Sequence, residues 1–163
     1  MPTVTEIARK IKNECAGMRI RQASRVLTRI YDESLRSLDI QESQLSVLVA
    51  IAIFGENGAT MGALAKALVM DRTTLTRNIQ PLEKAGWLRV ARAPDDARAR
   101  IIFLTRSGER MLESAAPLWE HAQERVRRAL GTKGFDALRM RLSEVVRLAD
   151  SDHRAFPSQP RTA

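Results

Sequence analysis

The 163-residue chain has a single cysteine, so no disulfide can close within it and packing alone must hold the fold. Aromatic residues make up only 4%, so the core has to come from Leu, Ile, Val, Ala and Met. Aromatic platforms for stacking single strands are scarce, and lysines are few. The two histidines, His121 and His153, have no cysteine or aspartate cluster at ligand spacing, so neither a metal nor a cofactor is expected. No Gly-rich phosphate loop, nucleophile elbow or paired catalytic carboxylates occur, which argues against an enzyme. The longest apolar run, "VLVAIAIF" at 47–54, is far too short to span a bilayer. The opening "MPTVTEIARK" lacks the apolar centre of a signal peptide. A cytoplasmic location without a membrane partner is expected.

What the chain does have is positive charge, +8 net, unevenly placed. Residues 1–36 carry 8 Lys/Arg against 4 Asp/Glu, and residues 71–106 carry 8 against 4. Between them, residues 37–70 carry 1 against 3. A basic surplus of this kind fits an anionic partner such as nucleic acid.

Hydrophobic periodicity predicts a long helix over 5–36, with Thr3 and Glu6 at capping-box spacing. "QESQLSVLVAIAIFGENG" reads as a second helix, buried all round and stopped by Gly55 and Gly58. "TMGALAKALVM" is a short third helix capped by Thr60. "DRTTLTRNIQPLEKAG", residues 71–86, is a fourth. Asp71 caps it, Leu75, Ile79 and Leu82 form its inward stripe, Pro81 interrupts its bonding and Gly86 ends it. "WLRVAR" and "RIIFLT" alternate as strands around the polar turn "APDDARA". A fifth helix starts at Thr105, Gly131 and Gly134 break it, and a sixth follows. The tail over 152–163, with two prolines, is expected to be disordered.

Three short helices followed by a hairpin is the plan of a winged helix-turn-helix. Its second adjacent helix enters the major groove of double-stranded DNA. Arg72, Thr73, Thr74, Thr76 and Arg77 crowd the first turns of the fourth helix, away from its apolar stripe. Hydroxyls and guanidinium groups are what phosphates and base edges require. Capping alone would account for a single threonine more readily than for the whole cluster.

These pieces, "LAKAL", "DRTTLTRNIQPLEKAGWL", "PDDARAR" and "IFLTRSG", stand in the order and spacing of the MarR family of bacterial transcriptional regulators, which the chain resembles over about 60–108. The resemblance implies that Thr73, Thr74 and Arg77 face the major groove and that Arg72 reaches phosphate. At the wing, Asp96 would orient Arg98 into the minor groove, with Arg92 and Arg100 on phosphates. An exposed ion pair of little energy is the plain alternative for Asp96 and Arg98. The chain departs from the family at Asp39, where glycine is common, at Gln41, where a Ser or Thr cap is common, and at Ala97, where a second arginine is frequent.

The terminal helices have more apolar positions than one chain can cover, and the resemblance likewise implies a homodimer. The expected architecture is therefore mainly α with a small β wing. Residues 1–36 and 107–151 form a helical dimerisation region, and 37–106 form the winged helix-turn-helix lobe. The resemblance further implies a repressor released from a pseudo-palindromic operator by a small aromatic or phenolic acid. Tyr31 is a candidate for that effector, although a structural role in the dimer core suits it as well. Some relatives sense oxidants through a cysteine on the first helix, which makes Cys15 a redox candidate. Its place on the stripe Ile7–Ile11–Cys15–Met18 favours plain packing, and no second cysteine exists to resolve it. Trp87 and Trp119 read as packing residues. A non-specific nucleoid-associated protein is the remaining alternative, since basic charge alone would support it.

Overall fold

The computed structural model describes residues 1–92 and 100–155, the side chains of 150–155 excepted. The first helix, α1 (Val4–Glu14), opens on the expected capping box. The Thr3 hydroxyl accepts the Glu6 amide at 3.3 Å, and the Glu6 carboxylate accepts the Thr3 amide at 2.7 Å. The single helix expected over 5–36 is in fact two. Cys15 takes an extended backbone, φ −74° and ψ 105°, and α2 (Ala16–Leu35) starts after it. The sequence signal for this break is slight: Gly17 lowers helix preference just beyond it, while the apolar periodicity runs straight through.

After α2, a 3-10 turn over Arg36–Leu38 ends at Asp39, which is left-handed at φ 52° and ψ 38°. Glycine would adopt this conformation freely, and a short polar side chain tolerates it. Helix α3 (Glu42–Phe54) buries Leu45, Val47, Leu48, Ala50 and Ile51, but it is not buried all round as expected: Val49, Ile53 and Phe54 are exposed. It has no Ser or Thr cap. Asp32, on α2, accepts the Glu42 amide instead at 2.8 Å, and Gln44 Oε1 accepts the Gln41 amide at 3.0 Å.

The remaining elements are β1 (Ala59–Thr60), α4 (Met61–Ala67), α5 (Arg72–Lys84), β2 (Leu88–Arg92), β3 (Arg100–Leu104) and α6 (Arg106–Ala155). The strands form an antiparallel sheet in the order β1-β3-β2, with Leu88 opposite Leu104 and Arg92 opposite Arg100. The hairpin is the expected one. Strand β1 was not expected, because two residues are too few to alternate. One core joins Leu35, Leu48, Ile51, Leu64, Leu75, Leu82, Leu88 and Ile102 from helices and sheet together.

Thr105 ties the sheet to α6. Its hydroxyl donates to the Gly86 carbonyl at 2.7 Å and accepts the Gly108 amide at 3.1 Å. A Cβ at Gly108 would collide with the Trp87 carbonyl, so glycine is needed there for close approach. Helix α6 packs along α2 and breaks at Gly131, φ 69° and ψ 158°. Gly134, expected to share in the break, is helical. The helix also runs past Asp152, where the tail was expected to begin; residues 156–163 lie outside the described residues. Among the described residues, no single helix is long and apolar enough to cross a membrane.

Candidate nucleic-acid interface

Helix α5 is fixed to the lobe by Leu75, Ile79 and Leu82, all buried in the common core. Asp71 caps its start. One carboxylate oxygen accepts the Thr74 amide at 2.8 Å and the other accepts the Thr74 hydroxyl at 2.7 Å. Those bonds, the amide first, hold the Asp71 carboxyl below its ordinary range, so it stays ionised near neutral pH. The turn between α4 and α5 is tight. The Met70 amide bonds the Ala65 carbonyl at 2.9 Å, and Val69 sits in the left-handed region at φ 51°.

The buried stripe turns the opposite face of α5 outward. Arg72, Thr73, Thr74 and Arg77 are exposed, as the sequence led us to expect. Thr76 is not fully exposed: it is half-buried, and its hydroxyl donates to the Arg72 carbonyl at 2.7 Å. Two residues missed from sequence join the exposed face, Gln80 and Lys84. The signal was available, since Thr73, Arg77, Gln80 and Lys84 follow i, i+4, i+7 and i+11.

At the base of the wing, Arg92 and Arg100 lie directly opposite each other on β2 and β3, both exposed. Like charges in this register destabilise a sheet, and an anion between or beside them removes the penalty. Arg89, also exposed, lies over the Phe103 ring at 4.0 Å. Asp96 and Arg98 lie outside the described residues.

The other candidates lie elsewhere. Tyr31 is half-buried on α2, and burial first, then the Glu42 carboxylate, pushes its phenol up. It therefore stays a neutral hydrogen-bond donor. Cys15 is half-buried at the joint of α1 and α2 rather than within a helical stripe. Trp87 packs against the core as expected, whereas Trp119 is 42% exposed and His121 is exposed. Trp119 lines an open cleft of about 520 Å³ at the α6 break, with Gln123, Arg127, Phe135 and Arg139. A smaller pocket of about 250 Å³ lies between the α2–α3 joint and the end of α5, lined by Leu38, Asp39, Pro81, Leu82 and Trp87. Among the described residues, no three His, Cys, Asp or Glu side chains gather in a set that could hold a metal ion.

Residues 38–99 match the model of the MarR family. The structure superposes on the M. tuberculosis transcriptional regulator MOSR in complex with DNA, with a TM-score of 0.74 and 33% identity, over 85% of this chain and 98% of that one. The chain belongs to the MarR family. A mutant E. coli MarR complexed with operator DNA superposes with a TM-score of 0.74 at 26% identity, over 83% of this chain and 96% of that one. Among curated relatives, the transcriptional regulator HosA of an Escherichia coli strain is 33% identical over 86 residues. That match spans 53% of this chain and 62% of HosA. In MarR terms, α4 and α5 are the helix-turn-helix pair, and β2 and β3 are the wing.

Proposed function

We propose that this MarR-family chain is a sequence-specific transcriptional regulator, most simply a repressor, that binds double-stranded DNA as a homodimer. The observation that carries the reading is α5. A helix anchored by three buried apolar residues presents Thr73 and Arg77, free of ion pairs among the described residues, on its open face. An arginine there can bond guanine in a bidentate pair, and the Arg92–Arg100 pair suits phosphates beside it. The proposed lobe spans 37–106, with 1–36 and 107–151 as the dimerisation region.

Exposed apolar surface supports the dimer. Helix α1 buries no residue, and Val4, Ile7 and Ile11 on one of its faces are exposed, as are Met140, Val145, Val146 and Leu148 beyond the α6 break. A second copy is the partner that brings the same unpaired faces.

A small aromatic or phenolic acid remains the proposed effector class. The pocket of about 250 Å³ beside Pro81 and Leu82 supports it, because it touches both the α2–α3 joint and the recognition helix. A cavity of about 150 Å³ already holds one benzene ring. A ligand there would shift the balance between two spacings of the recognition helices only as far as it prefers one of them.

The test is affinity for a duplex selected from a random pool against a scrambled duplex of equal length. Strong preference, with a bounded two-fold footprint, supports the regulator. Equal affinity, with uniform salt-sensitive coating, supports the nucleoid reading and overturns this one.

A further inference from the structure

Helix α5 presents more than its first turns. Thr73, Arg77, Gln80 and Lys84 lie along the face opposite the buried Leu75–Ile79–Leu82 stripe, and all four are exposed. Their neighbours are already engaged within the helix. The Thr74 hydroxyl donates to Asp71 at 2.7 Å, the Thr76 hydroxyl to the Arg72 carbonyl at 2.7 Å, and the Asn78 amide to the Thr74 carbonyl at 3.0 Å. Among the described residues, the Gln80 side chain makes no such bond.

We propose that Gln80 reads an adenine in the same half-site in which Arg77 reads a guanine, and that Lys84 holds a backbone phosphate beyond it. This rests on α5 being the recognition helix. The carboxamide sets a donor and an acceptor side by side, which matches the acceptor N7 and donor N6 of adenine in the major groove. The guanidinium of Arg77 offers only donors and matches guanine O6 and N7. Lys84 is a point charge on a flexible stem, suited to phosphate rather than to a base edge. Three residues of helix advance about 4.5 Å, and one base step advances about 3.4 Å. The adenine therefore lies one or two steps from the guanine.

The experiment is selection from a random duplex pool with the wild type, Arg77→Ala, Gln80→Ala and Gln80→Glu, each shown folded by melting and dimeric by sizing. The wild type is expected to enrich a two-fold site with a guanine column and, one or two steps away, an adenine column. Gln80→Ala should level the adenine column, losing about 5- to 150-fold of discrimination, the range of one bidentate pair, and should spare the guanine. Gln80→Glu should move the preference at that column to cytosine, whose N4 amine donates to a carboxylate. A guanine column that depends on Arg77, with no column altered by either Gln80 variant, overturns this proposal alone. A wild type that enriches no sequence overturns it together with the recognition-helix reading.

Discussion

Val69 holds a left-handed backbone, φ 51°, in the turn that aims α5, and its side chain is 58% exposed. A β-branched residue in this region is strained by about 1–2 kcal/mol, and exposure means that little packing offsets it. Glycine would relieve the strain but would lose more chain entropy on folding, roughly 0.5–1 kcal/mol. Val69→Gly should therefore leave stability the same or raise it, by at most about 1.5 kcal/mol from these figures. Urea unfolding checks this through the midpoint at constant slope. A fall in the midpoint would mean that Val69 makes contacts beyond those seen. Asp39, at φ 52°, is strained in the same sense but less, because a short polar side chain suits the left-handed region.

At the scale of elements, the wing and the recognition helix divide the proposed work. Arg92 faces Arg100 across the strands, so each contributes more with an anion present than without one. Arg92→Ala in a dimer removes two phosphate contacts. It should lower the magnitude of the log-affinity versus log-salt slope by about 1.8 and leave base preference intact. An unchanged slope would place Arg92 away from the DNA. Much of this layout was legible in the sequence, because it is written in local patterns. The Leu75–Ile79–Leu82 stripe, the Asp71, Thr60 and Thr105 caps and the hairpin all follow from neighbours within a few residues. What stayed hidden depends on residues far apart or on very short elements. Asp32 caps α3 from ten residues upstream. Strand β1 has two residues, and its pairing with β3 is set by the whole lobe. The break at Cys15 runs against a periodic stripe, and Gly134 is helical because Gly131 alone makes the turn.

For the whole molecule, the proposal is that two lobes are set at one helical turn of DNA by helices that are incomplete alone. Ile7 and Ile11 are 45% and 54% exposed on α1, a helix outside the elements that carry the proposed DNA-facing residues. Ile7→Asp with Ile11→Asp should yield a folded monomer by sedimentation, with operator affinity reduced at least about 100-fold, as loss of a second half-site implies. A stable dimer with wild-type affinity would show that α1 does not join the copies. The most direct test of the central claim is the affinity of the wild type and Arg77→Ala for a selected duplex and for its scrambled counterpart at one fixed salt concentration. The account predicts that the wild type prefers the selected duplex by about 1,000-fold or more. It also predicts that Arg77→Ala loses much of that preference while keeping most of its affinity for the scrambled duplex. Equal binding of both duplexes by the wild type, or an Arg77→Ala protein that still discriminates as well as the wild type, would contradict it.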